Sequence, residues 1–468
     1  MESKTQRRRF PGDTGGGPHE SLAGAIARVG SPVDLLKSST IRPYVFPVAA
    51  EVTNWRSEQA SWRVGCALLD QSHHMTSLYL EGSGALKLLR DLGVNSFANF
   101  GVNMAKQYIA VNPDGYLIGD AILFHLEPER FVLVGHPMVH DWIQFHLETG
   151  DYDAISERDD NSVERRGRPR VYRYELQGPS ALDVLGKAIG SQVPATRFFG
   201  MADVAIGGKR VRTLRHGMAG QPGAELFGPW EEREEVLDAL LTAGQDSGLV
   251  RVGAKAYSTA NLESGWVPAP LPAIYADDLR SNRYREWLHA SAMGSLGGSM
   301  DSPHITDYYV TPYDLGYGRS VAFDHDFLGR EPLEAMAAQP RRTKVTLVWD
   351  SDDVSRAVAS LYQPGPGAKY IDMPKARYAL HQSDKVLHDG RWVGISMDCG
   401  YLANERAMVS LATIDAEHGE TGTAVTVLWG EEPNSSKPQV EPHRQCEIRA
   451  TVAPAPYGDF ARGKYRAT

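Results

Sequence analysis

The chain has 468 residues, of which 42% are hydrophobic and 23% are charged, and its formal net charge is -9 at pH 7. This composition is typical of a folded globular protein, and roughly 150 residues per domain would give about two to four domains. The acidic balance argues against nucleic-acid binding, which needs a basic surface. No apolar run approaches the roughly 20 residues of a membrane span. We therefore predict no nucleic-acid partner and no membrane segment.

The three cysteines, Cys66, Cys399 and Cys446, lie far apart and form no CxxC pair. An odd number without metal-type spacing predicts neither a disulfide framework nor a metal site, and it fits a reducing cytoplasm. Residues 1–20 contain three arginines followed by three glycines, with no apolar stretch after the arginines. We therefore predict a disordered tail here rather than a secretory signal.

The first distinctive stretch is Ile41-Arg42-Pro43-Tyr44-Val45-Phe46-Pro47, which follows a loosely helical region over residues 21–37. Its prolines exclude a helix, so the segment is expected to be extended, with Tyr44 and Phe46 on one side. Such an aromatic pair is most often an edge that packs on a core. It could also line a flat pocket.

The polar hexapeptide Asp70-Gln71-Ser72-His73-His74-Met75 separates an apolar run, 66–69, from an alternating strand, 76–81. We predict that a rigid backbone aims these side chains and makes them the wall of a site. A histidine pair is also compatible with a purely structural role. On a strand, adjacent side chains face opposite ways, so only one of His73 and His74 could reach a pocket. The same geometry argues against a two-histidine metal site.

Strands and helices then alternate along the chain. The pattern predicts a helix at 85–92 and a three-stranded antiparallel meander over 107–135, which ends just before His136. A strand–turn–helix unit at 172–189 repeats the earlier one, as expected for two ferredoxin-like halves. Residues 151–170 are expected to form a charged connection without regular structure.

Small residues surround one carboxylate in Gly220-Gln221-Pro222-Gly223-Ala224-Glu225-Leu226. They let a ligand approach the backbone closely and would aim Glu225 at it, although a solvated glutamate at a strand end is the alternative. After a helix predicted at 230–248, the composition changes at Arg341-Arg342. The short strands that follow predict a β-barrel or sandwich of ~100 residues. The expected division is a tail (1–20), an α+β region (21–340) and a barrel (341–460).

Five motifs occur in a fixed order: Asp70–Met75, Pro113–Asp120, Gly220–Leu226, Leu262–Gly265 and Asp324–Arg330. Because it contains these motifs in this order, the chain resembles the aminomethyltransferase superfamily over about residues 40–455. This superfamily includes the folate-dependent T-protein of glycine cleavage. The resemblance implies an α+β fold with two antiparallel, ferredoxin-like subdomains and a C-terminal β-barrel. It also implies an enzyme that uses tetrahydrofolate and requires no metal.

Within that superfamily the chain is most similar to the tetrahydrofolate-dependent aryl O-demethylases, which act on syringate and vanillate in the breakdown of lignin-derived aromatic compounds. This similarity is carried by Asn54–Arg56, Asp70–Met75, Leu214–Gly223, Tyr257, Leu262–Trp266, Asp307–Tyr309 and Glu441–Gln445. It implies transfer of the methyl group of syringate to tetrahydrofolate, giving 3-O-methylgallate and 5-methyltetrahydrofolate. The alternatives are vanillate or 3-O-methylgallate as the substrate, another folate-dependent methyl or aminomethyl transfer, and a folate-binding protein without turnover.

The resemblance also implies roles for individual residues. Tyr257 would donate a proton or a hydrogen bond to the ether oxygen, and His74 would be the histidine that faces the substrate. Read alone, Tyr257 fits a core tyrosine, since such residues usually bury the ring and satisfy one hydroxyl. The expected substrate-binding residues are Gln71, His136, Tyr44, Phe46 and Met75. The expected cofactor-binding residues are Glu225, Trp266, Phe198 and Val134, and the last three could equally belong to the core.

Two positions depart from the vanillate enzymes. Where those enzymes have an arginine thought to hold the substrate carboxylate, this chain has His136, and the second of their paired aromatics is Phe46 rather than a tyrosine. Both changes alter the size or polarity of the ring pocket. They favour a bulkier dimethoxy ring, and therefore syringate over vanillate.

Overall fold

The computed structural model describes residues 19–276, 279–338 and 342–463. Of the tail predicted at 1–20, residues 1–18 lie outside the described residues. His19 and Glu20 are described, and Glu20 forms an ion pair with Arg28. A search of the described residues finds no helix that is long and apolar enough to cross a membrane.

The strands of the described chain are β1 (Cys66–Asp70), β2 (Thr76–Glu81), β3 (Met104–Val111), β4 (Leu117–Glu127), β5 (Arg130–Gly135), β6 (Ile155–Asp159), β7 (Val171–Gln177), β8 (Met201–Ile206), β9 (Lys209–Arg215), β10 (Gly223–Pro229), β11 (Leu249–Val252), β12 (Leu296–Gly297), β13 (Arg342–Trp349), β14 (His381–Gln382), β15 (Asp384–His388), β16 (Arg391–Leu402), β17 (Ala407–Asp415), β18 (Ala424–Trp429) and β19 (Cys446–Ala453).

The helices are α1 (Leu22–Val29), α2 (Pro32–Ser38), α3 (Trp55–Val64), α4 (Ala85–Leu92), α5 (Pro137–Thr149), α6 (Ala181–Ile189), α7 (Arg233–Gly244), α8 (Ala254–Tyr257), α9 (Ala260–Ser264), α10 (Leu279–Trp287), α11 (Arg330–Ala337), α12 (Ser351–Ala359) and α13 (Asp459–Gly463).

The region before the barrel contains two large β-sheets. The six-stranded sheet has the order β11-β1-β7-β10-β9-β8, and in it β1 runs parallel to β11 and antiparallel to β7. The five-stranded sheet is antiparallel, with the order β3-β4-β5-β2-β6. Because β1 and β2 belong to different sheets, residues 71–75 cross from one sheet to the other. We call these five residues the crossover.

Strand β7 shows how the sequence pattern places polar side chains inside the fold. Successive residues of a strand point to opposite faces of its sheet. The aromatic and aliphatic side chains of Tyr172, Tyr174 and Leu176 are buried in a core with α6 and α7. The opposite face of the strand therefore carries Arg173 and Glu175, which are also buried. A strand with an apolar core on one side and buried charges on the other borders a functional site or an ion-pair network.

The chain from Arg342 onward forms a closed barrel of the order β13-β17-β16-β15-β18-β19. This confirms the predicted C-terminal β-barrel and, with the two sheets, the α+β class. Closure comes from the antiparallel pairing of β13 with both β17 and β19. The half-buried Lys375 links the barrel to the region before it, since it donates to the side chain of Asn261 (2.8 Å) on α9 and to that of Asp398 (2.6 Å) on β16.

Two local predictions were wrong. Residues 151–170 contain the edge strand β6, whose inward-facing Arg158 is charged and therefore hides the strand pattern from a hydrophobicity argument. The residues 72–74 form a turn and do not continue a strand. Helix α4, in contrast, occupies the predicted positions because four apolar side chains at helical spacing are buried on one face.

Candidate active site

A cleft opens where the crossover passes between the two sheets. Its walls combine both sheets, the crossover, the loops around residues 198 and 217, helix α8, the end of α9 and the first barrel strand. The lining residues are Gln71, His74, Met75, Gln107, Asp120, Ala121, Ile122, Val134, Gly135, Arg173, Phe198, Phe199, His216, Gly217, Met218, Glu225, Tyr257, Ser264, Gly265, Trp266, Tyr317 and Lys344.

A tyrosine–histidine pair occupies one end of the cleft. The hydroxyl oxygen of Tyr257 and Nε2 of His74 are 2.6 Å apart, and their rings meet edge to face at 4.9 Å. Tyr257 is the last residue of the short helix α8. The start of α8 is held by backbone hydrogen bonds from Ala254 to Ala49 (2.9 Å) and from Lys255 to Ala50 (3.0 Å). The segment after Phe46 therefore fixes the helix that positions the tyrosine.

The surroundings keep this pair neutral. Burial raises the pKa of Tyr257 well above its ordinary value, the negative charges of Glu175 and Glu225 add to this, and a hydrogen bond from Gln71 acts in the opposite direction. Burial lowers the pKa of His74 to about 3, and the positive charge of Arg173 contributes. The phenol is therefore protonated and the imidazole is neutral at physiological pH. Depending on its tautomer, His74 either accepts the phenol proton at Nε2 or donates a proton to the phenol oxygen.

A carboxylate lies on the six-stranded side of the cleft. Glu225 on β10 forms an ion pair with the guanidinium of Arg173 on β7. The two side chains are only 5% and 7% exposed, respectively, so solvent screens the pair weakly. The guanidinium also stacks over the rings of Phe227 (4.9 Å) and Phe124 (5.3 Å). Arg173 is thus held from several sides, and it presents Glu225 to the cleft in a defined orientation.

A second carboxylate, Asp120 on β4, lies on the five-stranded side. It accepts hydrogen bonds from the side chains of Gln107 (2.7 Å) and Trp266 (2.9 Å). Burial raises the pKa of Asp120, while these two donors and the nearby Lys344 lower it. Lys344, which is a barrel residue, also donates to the backbone oxygen of Gly265 at 2.7 Å. The barrel therefore contributes a cation to the cleft and fixes the turn that carries Trp266.

Eight of the predicted site residues line the cleft, and the other three lie close to it. The eight are Gln71, His74, Met75, Val134, Phe198, Glu225, Tyr257 and Trp266. Phe46 packs edge-on against His74 at 5.5 Å, and Tyr44 packs against Phe46 at 6.1 Å. His136 follows the lining residue Gly135 and occupies the N-cap position of α5. Substrate binding by these three residues stays a prediction.

The two neighbouring histidines do point to different places, as expected, but not for the expected reason. The ring of His73 lies 5.7 Å from that of Trp230, away from the cleft lining, whereas His74 contacts Tyr257. Residues 72–74 form a turn, so turn geometry rather than strand alternation separates the rings of His73 and His74. Within the described residues, no group of three or more His, Cys, Asp or Glu side chains could hold a metal ion.

Sequence reasoning missed several polar residues of the cleft. Asp120 lay in a recognised motif without an assigned role, and Lys344 belongs to the barrel, which only tertiary contacts bring to the site. A usable signal existed for Arg173 and Glu175, because both occupy alternate positions of a strand whose other face is apolar. Charged residues on one face of an otherwise apolar strand indicate a buried polar site.

Comparisons with known proteins show the family to which the chain belongs. The family model of the GCVT N-terminal domain matches residues 37–269. Syringate O-demethylase from a Sphingobium species is 46% identical over 453 residues, which cover 95% of this chain and 98% of the relative. Sesamin methylene transferase from a Sinomonas species is 31% identical over 415 residues, which cover 83% of this chain and 85% of the relative.

The glycine cleavage system aminomethyltransferase T from Bartonella henselae shares the architecture, with a TM-score of 0.60, 18% identity, and coverage of 90% of this chain and 95% of that one. At this identity the likeness shows the fold alone. The chain belongs to the aminomethyltransferase superfamily, in the branch that includes the syringate O-demethylase and the sesamin methylene transferase. The predicted aminomethyltransferase fold and the expectation of an enzyme are thereby confirmed.

Proposed function

We propose that the chain transfers the methyl group of syringate to tetrahydrofolate, giving 3-O-methylgallate and 5-methyltetrahydrofolate. The observation that carries this proposal is the 2.6 Å contact between the Tyr257 hydroxyl and His74 in a cleft that also contains Glu225. One end of the cleft thus offers a neutral proton donor, and another part offers a carboxylate. The 46% identity with the syringate enzyme supports the choice of substrate.

The cleft fits a reduced pterin. A carboxylate can accept two parallel N–H bonds from an amino group and a neighbouring ring nitrogen, and Glu225 supplies such a group. Trp266 and Phe198 offer aromatic surface for a flat ring, and Val134 offers aliphatic surface. When bound, tetrahydrofolate supplies N5, the nitrogen that accepts the methyl group and releases a proton. In this proposal Glu225 and these walls orient it, and such orientation can contribute several kcal/mol to catalysis.

The proposed role of Tyr257 follows from the leaving group. An aryl methyl ether is inert because its C–O bond must break with the electron pair left on oxygen, as a phenolate. Tyr257 donates its proton to that oxygen as the bond breaks. His74, in the tautomer that carries a proton on Nε2, and Gln71 both donate to the tyrosine oxygen and so stabilise its developing charge. The proton released from N5 balances the one that Tyr257 gives up.

The remaining predicted residues would shape the aromatic pocket. Phe46 and Tyr44 extend the aromatic surface that begins at His74, and they would flank the substrate ring. We propose that His136 lies toward the substrate carboxylate, and that Met75 contacts the ring.

The test is incubation of the purified protein with tetrahydrofolate and, separately, syringate, vanillate and 3-O-methylgallate. Syringate is expected to give 5-methyltetrahydrofolate and 3-O-methylgallate with the highest kcat/KM, as measured by liquid chromatography with mass detection. A preference for vanillate or 3-O-methylgallate would keep the reaction and correct the substrate. If tetrahydrofolate binds and no methoxybenzoate is turned over, the proposed reaction is wrong and a folate-binding protein is favoured.

A further inference from the structure

A third carboxylate, Glu175, lies behind the catalytic end of the cleft and is completely buried. One of its oxygens, Oε1, accepts hydrogen bonds from the side-chain nitrogen of Gln177 (2.5 Å) and from the backbone N–H of Met218 (2.7 Å). The other, Oε2, accepts a hydrogen bond from Nε2 of Gln71. All three partners are donors, which is the pattern expected around an ionised carboxylate because that group can only accept.

The contact with Gln71 links Glu175 to Tyr257. The side-chain amide of Gln71 donates one hydrogen bond to Glu175, and it also forms the hydrogen bond that lowers the pKa of Tyr257. A hydrogen bond lowers the pKa of a phenol when it is donated to the phenol oxygen. Gln71 lines the cleft together with Tyr257 and His74, so an NH₂ group that donates one hydrogen to Glu175 can direct the other at Tyr257.

The hydrogen-bond partners of the Gln71 amide, and not its shape, determine its orientation. The oxygen and the nitrogen of a glutamine amide are nearly equal in size, so only hydrogen-bond partners decide which atom faces which neighbour. A neighbour that can only accept admits the NH₂ group and excludes the oxygen. If Gln71 turned by 180°, its oxygen would face Tyr257 and would accept the proton that the tyrosine needs for the substrate.

We propose that Glu175 is a positioning residue, whose carboxylate fixes the Gln71 amide with its NH₂ group toward the oxygen of Tyr257. Glu175 itself does not contact the reacting atoms in this scheme and acts through Gln71. The hydrogen bond from Gln71 makes the tyrosine O–H a stronger donor and directs it into the cleft. This role rests on the proposed function of Tyr257 as the donor to the ether oxygen.

The role requires Glu175 to be ionised. The titratable and charged groups near it are Glu225 on β10, Arg173 on β7, Tyr257 on α8, Asp70 at the end of β1 and His74 in the turn. Burial, together with the negative charge of Glu225, raises the pKa of Glu175 above its ordinary value, while the hydrogen bonds from Met218 and Gln71 act in the opposite direction. Because Oε1 already accepts two bonds, a proton would reside on Oε2 and would turn the Gln71 amide. The value of kcat should therefore fall as the pH falls through this pKa.

The first experiment is the substitution Glu175→Gln. It keeps the shape of the side chain and replaces the two carboxylate oxygens by one amide oxygen and one NH₂ group. Because Oε1 keeps its two donors, the new NH₂ group faces Gln71 and forces its amide to turn. We expect kcat for syringate to fall by about tenfold to a hundredfold, with the KM for tetrahydrofolate little changed, since one hydrogen bond to the reacting group is lost. The matched control is Asp384→Asn, another buried carboxylate that accepts from a backbone N–H (3.0 Å) and a glutamine (2.9 Å) but lies in the barrel. It should leave kcat unchanged.

A double-mutant cycle separates action through Gln71 from a direct effect. In a Gln71→Ala background, Glu175→Gln should cause no further loss of kcat, because the amide that it orients is absent. Losses that multiply in the double variant would overturn the proposal. If Glu175→Gln does not fold, the pH profiles of the unsubstituted protein and of Gln71→Ala still decide: the acidic loss of kcat should be present in the first and absent in the second. Identical profiles would contradict the role.

A readout without turnover distinguishes this inference from the proposed function. In protein labelled with ¹³C at the ring carbon that bears the hydroxyl, the signal of Tyr257 can be assigned by its absence in Tyr257→Phe. Its chemical shift reports the hydrogen bonds at the oxygen. Glu175→Gln should shift this signal, because the tyrosine oxygen loses the hydrogen bond from Gln71 and its hydroxyl donates to the amide oxygen instead. An unshifted signal refutes the positioning role even if the protein demethylates syringate, and a shifted signal supports it even if it does not.

Discussion

Two buried arginine–carboxylate clusters in this molecule use the same chemistry in different surroundings. Arg158 on β6 donates to Asp141 (2.8 Å) and Gln144 (2.6 Å), both on α5, and the ion-paired side chains are 1% and 0% exposed. Protein surrounds this pair, which joins the helix to the edge of the five-stranded sheet. Arg173 and Glu225 are nearly as buried, but both line the cleft. One side of the second pair therefore faces the space that a ligand occupies.

The difference shows that burial of an ion pair does not define its role. A buried pair contributes little net stability because desolvation offsets the attraction, but loss of one partner is costly since the other charge stays buried. That cost should be expressed as lost stability where protein surrounds the charge. It should be expressed as lost ligand binding where the charge borders a cleft. Four substitutions test this contrast and the roles of the residues around the cleft.

The largest effect on stability is expected from Asp141→Asn. Removal of this charge leaves Asp160, at 3.0 Å, as the carboxylate paired with the buried Arg158, and we expect a loss of about 2 kcal/mol in the free energy of unfolding, as for a lost hydrogen bond to a charged group. Urea denaturation followed by circular dichroism would measure it. The kcat and KM of the folded fraction should stay near those of the unsubstituted protein. A large change in KM with unchanged stability would mean that the two clusters are not separated as described.

The largest effect on catalysis is expected from Tyr257→Phe. Loss of the proton donor should reduce kcat by about 100-fold or more while the protein still folds and binds tetrahydrofolate. Steady-state kinetics with syringate and calorimetric titration would measure the two effects. Tyr152→Phe is the matched control, because that hydroxyl also forms a hydrogen bond, to Asp91 at 2.9 Å, but lies outside the cleft lining. Near-normal turnover by Tyr257→Phe would remove the tyrosine from the mechanism.

The direct counterpart of Asp141→Asn is Glu225→Gln. It keeps the shape of the side chain and removes the charge that would pair with the pterin, so we expect tetrahydrofolate to bind about tenfold to a hundredfold more weakly, as for a lost charge-assisted hydrogen bond. Isothermal calorimetry gives the dissociation constant. If Glu225→Gln instead lost as much stability as Asp141→Asn and bound tetrahydrofolate normally, the two clusters would have the same structural role.

A smaller effect is expected from Lys344→Met, which tests the contribution of the barrel. The substitution removes the donor to the Gly265 oxygen and the charge that lowers the pKa of Asp120. We expect the KM for tetrahydrofolate to rise by about two- to tenfold, as for one hydrogen bond worth about 1 kcal/mol. Lys344→Arg, which keeps the charge, should recover part of the loss. No change in either variant would limit the barrel to a structural role.

The elements with regular patterns and the motifs that carry the chemistry can be predicted from the sequence without the structure. Helix α4 was predicted because four apolar side chains recur at helical spacing, and the meander because its turns contain strong turn residues. Motif resemblance identified Tyr257, His74 and Glu225, which the structure brings to one cleft. These predictions rest on local pattern and on short motifs, both of which can be read without knowing where distant segments meet.

Tertiary structure alone decided the remaining features. Strand β6 was missed because its inward side chain, Arg158, is charged and is satisfied by Asp141 and Gln144 of the preceding helix α5, and this removes the apolar signal. Lys344 reaches the cleft only through packing of the barrel. The proposed bridge from Glu175 through Gln71 to Tyr257 joins residues more than 80 positions apart, which lie on β7, on the crossover and on α8. Hydrogen bonds between such distant segments depend on chain topology, which no local periodicity encodes.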